Sequence, residues 1–332
     1  MQLKSFIESN FLIDDPISGE YIPFIFRPVQ KKYYEELMRD YPEFPDNVRE
    51  LILKARKEGF TSLILAIFAS IILTSKNAVR FLEISYKEDA TSQHFRRMKA
   101  FLLSFIVRDP SKWSAELEKK IFKTNLDCEE MVLNNNLASF YVGTANTKAG
   151  ERGGTVQGIL NSEEAHYPNT GIISAPKMIN ATLSMVPVSH GMIFRETTAN
   201  GFNHYRKTWT MAGNGELNYR RRFYGWREFY TSAEFKEICA GFSDKSMIPQ
   251  EFPDTPEEAF LATGRPIFEV KKLKEMSSRI DKPIMVGNLQ DNEQEILFLP
   301  NDAGQLKIWK NYRNNKRYLI AVDVAGGIPD EQ

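Results

Sequence analysis

The sequence predicts an α/β protein built on a largely parallel sheet. Three observations predict it. Short apolar runs recur along the chain: Leu51-Ile52-Leu53, residues 78–84, residues 156–160 and Met192-Ile193-Phe194. Helix-length stretches separate them, at 63–73, 89–106 and 176–185. The order strand, loop, helix, strand, helix over residues 50–106 calls for crossover connections, which set neighbouring strands parallel.

The elements follow in order. Residues 1–25 read as a short helix and an irregular segment, with turns at Asp14-Asp15-Pro16 and Ser18-Gly19. Pro28 is placed to open a helix that runs to Asp40, with Tyr34, Leu37 and Met38 on one face. A strand at 50–53 leads through residues 54–62, KARKEGFTS, into the apolar helix at 63–73. A strand at 78–84 precedes an amphipathic helix at 89–106, where Phe95, Met98, Phe101, Leu102 and Phe105 keep helical spacing. Residues 107–128 read as helical and charged. Met131-Val132-Leu133 and residues 139–142 read as two strands around Asn134-Asn135-Asn136, a hairpin turn. A Gly-rich stretch at 150–154 precedes the strand at 156–160. Residues 202–242 are aromatic and basic, and Thr255-Pro256-Glu257-Glu258 reads as a capped helix start. Residues 263–316 read as irregular and polar, and 317–323 as a final strand.

With 332 residues, 42% apolar and 26% charged, the chain is long enough for one large domain or two. Lys plus Arg equals Asp plus Glu, so bulk charge announces no nucleic-acid partner, although a local basic patch would serve a transient grip. Cys128 and Cys239 are far apart with no CxxC, which suits a reducing compartment. The four histidines are scattered, which argues against a zinc site. The first residues are too acidic and interrupted for a signal peptide, and the apolar run at 63–73 is too short to span a bilayer.

Four stretches and two single residues carry candidate chemistry. Lys54-Ala55-Arg56-Lys57-Glu58-Gly59-Phe60-Thr61-Ser62 lies between a strand and a helix, where backbone N–H groups and the helix dipole favour an anion. In the frame G-x-x-x-x-G-K-S/T, Gly59 and Thr61 fit, Phe60 stands in the lysine's place, and Lys54 stands at the front. The readings are a phosphate loop with a relocated lysine, or an ordinary loop containing a Gly. Glu163-Glu164 follows a buried strand. The pair reads either as acids organising magnesium (Glu163) and polarising water (Glu164), or as acids suited to the start of a helix. Thr197-Thr198-Ala199-Asn200-Gly201 ends another strand and reads as a γ-phosphate relay or as a turn. Arg152 has the readings of an arginine finger acting in trans and a solvated loop charge. Gln30 has those of an adenine contact and an ordinary first-turn glutamine. Arg220, Arg221 and Arg222 are candidates for DNA phosphates or for the charged face of a small subdomain.

In this order and spacing the chain resembles the large terminase subunit of tailed bacteriophages, over nearly its whole length. Arg27-Pro28-Val29-Gln30 is similar to the family's adenine-side segment, and 54–62 to its deviant phosphate loop. Arg152-Gly153-Gly154-Thr155 and residues 159–166 resemble the approach to the acidic motif and the motif itself. Residues 197–201 resemble the coupling motif. Phe223-Tyr224-Gly225-Trp226 and residues 252–260 resemble the segments that close the ATPase region, and residues 318–327 the first strand of an RNase H-like nuclease domain. Phe60, and Glu163 in place of the commoner aspartate, depart from the family pattern.

The resemblance implies a P-loop NTPase core of the additional-strand type with a small lid subdomain. The ATPase domain would span 1–262 with its lid at about 203–262, followed by a linker at 263–316 and a truncated nuclease start at 317–332. It implies ATP and Mg2+ as ligands. Lys54 and the 55–61 backbone would hold phosphates, Thr61 and Glu163 would serve the metal, Glu164 would activate water, and Arg56 would sense the γ-phosphate in cis. Asp323 matches a nuclease-metal aspartate. Two metals need further carboxylates, so nuclease chemistry is expected only of a full-length chain. The implied partners are double-stranded DNA, a portal protein, a small terminase subunit and copies of the chain in a ring, in the host cytoplasm during phage assembly and away from any membrane. The rival expectations are a non-catalytic DNA- or portal-docking module with a decayed loop, and a helicase-type P-loop ATPase.

Overall fold

The computed structural model describes residues 3–125, 130–145, 154–169, 174–261, 272, 275–276, 279–291, 295–301, 304 and 306–317. The chain divides into a unit of Met1–Val270 and a unit of Lys271–Gln332.

The first unit opens with α1 (Leu3–Asn10), the short pair β1 (Leu12–Asp14) and β2 (Tyr21–Pro23), and α2 (Pro28–Asp40). Then come β3 (Val48–Lys54), α3 (Phe60–Thr74), β4 (Arg80–Ser85), α4 (Glu88–Ile106), α5 (Ala115–Ile121), β5 (Phe122–Asn125), β6 (Glu130–Leu133) and β7 (Ser139–Thr144). The acidic strand β8 (Gly158–Ser162), α6 (Ala175–Leu183), β9 (Met192–Thr197), α7 (His204–Gly213), β10 (Arg220–Tyr224), α8 (Ser232–Ala240), α9 (Ile248–Glu251) and α10 (Pro256–Leu261) complete it.

Eight strands form one sheet in the order β10-β3-β9-β8-β4-β7-β6-β5. The pairs from β10 to β7 are parallel, and β7-β6-β5 is antiparallel. Strand β9 therefore lies between the loop strand β3 and the acidic strand β8, as the additional-strand core requires. The inner parallel strands β3, β9, β8 and β4 are buried on both faces and carry apolar runs, which is what made them visible in the sequence. Helix α3 is apolar around its whole circumference, and the core closes over it.

Gly158, opening β8, allows this packing: a Cβ there would lie 2.6 Å from the Phe81 ring and 3.2 Å from that of Phe68. Phe60 is fully buried, with its ring centroid 4.9 Å from that of Tyr224 and 5.2 Å from that of Tyr33. The residue in the lysine's place thus seals the root of α3 instead of facing an anion.

Several elements differ from the sequence reading. Residues 107–128 are not one helix, because the chain leaves α5 directly into edge strand β5. The expected lid does not hold all of 203–262: β10 joins the main sheet on the free edge of β3, with Tyr224 opposite Lys54. Three consecutive arginines disguised that strand. Arg222 is buried because Glu50 and Asp40 accept its guanidinium hydrogen bonds at 2.8–3.2 Å. It is thereby withdrawn from any role as a phosphate contact. The segment at 252–260 returns to the core, where Ala259 and Phe260 pack with Leu51, Leu53 and Trp209.

In the second unit, residues read as irregular form an antiparallel three-stranded sheet of β11 (Met285–Asp291), β12 (Ile296–Pro300) and β13 (Leu306–Ile308), ordered β12-β11-β13. Its strands are mostly exposed, so no apolar alternation marked them. Of the expected final strand, residues 318–323, including Asp323, lie outside the described residues.

Phe60→Ala should cost about 3–5 kcal/mol, and Phe60→Lys, which restores the loop frame, should cost at least as much. Urea unfolding checks this as a lower midpoint at unchanged slope.

Candidate functional site

The site forms at the carboxyl ends of β3, β9 and β8, the crevice where open α/β sheets place ligands. As β3 ends, Ala55 N–H donates to Tyr224 O and Arg56 N–H to Glu251 O, both at 2.9 Å. Lys57 and Gly59 then take left-handed φ values of 65° and 75°, and Gly59 caps α3. Side chains from α2 brace the turn. Arg27 Nη1 donates to Lys57 O at 3.1 Å and Gln30 Nε2 to Gly59 O at 2.8 Å. A Cβ on Gly59 would lie 2.7 Å from Gln30 Nε2 and push that brace aside, and the left-handed φ itself favours glycine. Among the described residues, no backbone acceptor meets the N–H groups of residues 57–62. A row of uncommitted donors at the N-terminus of a buried 15-residue helix has the geometry to receive an anion. It begins at Lys57, later than expected, because the Ala55 and Arg56 donors are already committed.

Lys54 stands beside this row, only 4% exposed, with its Nζ 2.9 Å from Glu163 Oε1 and 3.0 Å from Glu196 Oε2. Burial pulls the ammonium's pKa down, but Glu163 and Glu196 more than reverse this and hold it charged. Burial likewise raises the Glu163 carboxyl, and Lys54 and the Thr198 N–H together bring it below the ordinary range. Glu163 occupies a left-handed φ of 54° and accepts from Thr198 N at 2.9 Å and Thr198 Oγ1 at 3.0 Å. Glu196 is fully buried and accepts from Thr61 Oγ1 at 2.6 Å and Ser162 Oγ at 2.7 Å. Glu58, within the row, is also buried, with neither carboxylate oxygen in a well-formed hydrogen bond. Burial drives its pKa well above the carboxylate range.

The second acid of the pair is turned away. Glu164 is fully buried and bound by Arg195, Nε to Oε2 at 2.7 Å and Nη2 to Oε1 at 2.5 Å. Asn161 Nδ2 donates to it at 3.0 Å, and His204 Nε2 lies 3.7 Å away. Burial lowers the His204 pKa below its ordinary value. The expected water-activating role of Glu164 does not match this closed geometry. Glu163 is the acid that faces the loop.

The other expected residues divide. The turn at 197–201 meets the acidic turn directly: Thr197 Oγ1 accepts from Ala165 N, Asn200 Nδ2 donates to Ala165 O, and His166 Nε2 lies 2.9 Å from Thr198 Oγ1. Gln250 Nε2 reaches Ala199 O at 3.3 Å. Gln30 has both ends of its amide committed, to Arg27 N and Gly59 O, so it braces the loop and is not free to meet a base. Arg56 is exposed and paired with Glu251 at 3.0 Å. Arg152 lies outside the described residues.

Arg195 and Glu196 escaped the sequence reading because charges ended the apparent strand at Phe194. Two opposite charges directly continuing an apolar run were the signal available. For a metal, the donors are the Thr61 hydroxyl and nearby carboxylates. Among the described residues no three His, Cys, Asp or Glu side chains cluster to hold an ion. Few hard oxygen donors suit Mg2+, which keeps water and phosphate oxygens as most of its ligands.

No protein-family model matches the chain, and no curated protein matches its sequence. Solved structures do match. The large terminase of bacteriophage HK97 aligns over 83% of this chain and 52% of its own, at 15% identity and a TM-score of 0.51. The fold is that of a phage large terminase. The chain spans about half the length of the HK97 protein. The large terminase of a thermophilic bacteriophage aligns over 69% of this chain and 53% of its own, at 12% identity and a TM-score of 0.49. The ATPase domain of the Thermus phage P74-26 large terminase aligns over 67% and 96%, at 14% identity and 0.45.

Arg195→Ala leaves Glu164 buried without its partner and should cost about 3–5 kcal/mol. The apolar pair Arg195→Met with Glu164→Leu should recover most of it, read by urea unfolding.

Proposed function

We propose that the chain is the ATP-hydrolysing motor domain of a phage DNA-packaging terminase. The observation that carries this reading is the row of free N–H groups at 57–62, set beside a buried, charged Lys54 and the hydroxyl of Thr61. Phosphates would lie along that row, with Lys54 released from the carboxylates onto the β/γ oxygens and Thr61 serving Mg2+. The metal would neutralise charge on the transferring phosphoryl group. Glu163, fixed by Thr198, would orient a water and accept its proton. Arg56, exposed at the loop's edge, would sense the γ-phosphate in cis, and Arg152 would serve a neighbour in trans.

The hydrogen bonds from Thr198 to Glu163 and from Gln250 to Ala199 O supply a route by which loss of phosphate reaches residues 197–201 and α9. Double-stranded DNA, a portal protein, a small terminase subunit and a homo-oligomeric ring are the partners this reading requires. It places the motor at 1–262, a linking segment at 263–316, and the start of an RNase H-like nuclease segment at 317–332.

One observation favours a second reading, a docking module with a decayed loop: Lys54 is already fully engaged by two carboxylates. Nucleotide-dependent stabilisation separates the two. At a hundredfold excess over Kd, Mg2+ with ATPγS should add about 2.7 kcal/mol to the native state. Lys54→Ala should lose that gain together with turnover. Glu163→Gln should keep the gain and lose roughly 100- to 10,000-fold in turnover. Unchanged turnover in both variants would sink the motor reading.

A further inference from the structure

The third carboxylate of the site, Glu196, is the one that touches Thr61. It sits on the intervening strand β9, opposite Ile52 of the loop strand on one side and Ser162 of the acidic strand on the other. Resting on the nucleotide reading above, we propose that Glu196, rather than Glu163, is the positioning carboxylate for the nucleotide's Mg2+, leaving Glu163 to the attacking water.

Two observations carry this. The first is hydroxyl chemistry. Thr61 has one proton, and it donates that proton to Glu196 Oε1 at 2.6 Å. Its oxygen lone pairs are then left to face a cation. Ser162 Oγ donates to the same oxygen at 2.7 Å, so the acceptor is held from two strands. Glu163 makes no comparable contact: its Oε1 is taken by Lys54 and its Oε2 by the Thr198 N–H and hydroxyl.

The second is charge. Glu196 Oε2 is buried and forms no hydrogen bond of good geometry, and its compensation is the Lys54 ammonium at 3.0 Å. When Lys54 moves to a phosphate, that oxygen loses its counter-charge in a water-poor site, which is strongly unfavourable. A divalent cation arriving with the nucleotide restores it. Binding is then an exchange in which Lys54 passes to the phosphates and Mg2+ takes its place beside Glu196. The exchange requires nucleotide and metal together. Mg2+ alone meets an ammonium, and nucleotide alone strands a carboxylate.

The test is ATPγS affinity by calorimetry, with Mg2+ and with EDTA. The wild-type protein should bind much more tightly with Mg2+, and Mg2+ alone should not raise its melting temperature. Glu196→Gln should lose roughly 10- to 100-fold of the magnesium-dependent gain, the range for groups that orient a metal's ligands. Its affinity in EDTA should be equal or tighter, because no carboxylate is left stranded. Glu163→Gln should keep the full gain. Thr61→Val, which removes only the hydroxyl, should lose the gain as well; if Glu196→Gln does not fold, Glu196→Asp, which keeps the charge but shortens its reach to Thr61, should lose part of the gain while Glu163→Asp keeps all of it. A gain that survives Glu196→Gln or Thr61→Val, or one abolished by Glu163→Gln, overturns the assignment while leaving nucleotide binding intact. Failure of the wild-type protein to bind ATPγS under either condition overturns the nucleotide reading itself.

Discussion

Lys54 is a buried cation at the end of a central strand, and the crevice is arranged to keep it charged. An ammonium removed from water is tolerated only with opposite charge in contact. Here the compensation comes from two carboxylates on two other elements, Glu196 near the end of β9 and Glu163 just beyond β8. Three parallel strands must therefore finish at matching heights. A one-residue slip of β9 would turn Glu196 to the opposite face of the sheet. The pairing of Ile52 with Glu196, and of Glu196 with Ser162, is the register that this ion cluster demands.

Around the cluster the loop is tied to structure from distant parts of the sequence. Helix α2 holds it through Arg27 and Gln30, the edge strand β10 through Tyr224 O, and α9 through Glu251. The ties to β10 and α9 consume the N–H groups of Ala55 and Arg56, which is why the donor row starts at Lys57, while those from α2 take only carbonyl oxygens. The loop is a junction tied to three other segments, and its shape depends on all of them. On the far side, the acidic turn and the turn after β9 share hydrogen bonds through Glu163, Ala165 and His166.

The buried parallel strands were legible because they are apolar on both faces, and α3 because it is apolar all round. The loop was legible from Gly59 and Thr61 in a strand-to-helix setting. Strand β10 was not, since its arginines look solvated until Glu50 and Asp40 are brought beside Arg222 from far away in sequence. The same reason hid Glu196: a charge inside a strand reads as the strand's end unless its partners are known. The division of labour between Glu163 and Glu164 was illegible for a different reason. Adjacent side chains point apart, and which one faces the loop depends on the left-handed turn at Glu163 and on Arg195 waiting behind Glu164. Phe60 was read as a departure from a frame. In the folded chain it is the plug that lets a buried helix begin directly at the loop.

Strand β9 carries Arg195 and Glu196 side by side, pointing to opposite faces, and each is matched to a different partner. Arg195 answers Glu164 on one side of the sheet, while Glu196 answers Lys54 on the other. The two pairs act like a key cut on both edges. Any axial sliding of β9 along β8 would unseat both at once and bury two unpaired charges, a penalty of several kcal/mol for each. These strands are therefore stationary parts. A rearrangement of this crevice that leaves the sheet intact falls to the segments at its rim: the turn at 198–203, α7 that follows it, and α9, joined to that turn through Gln250.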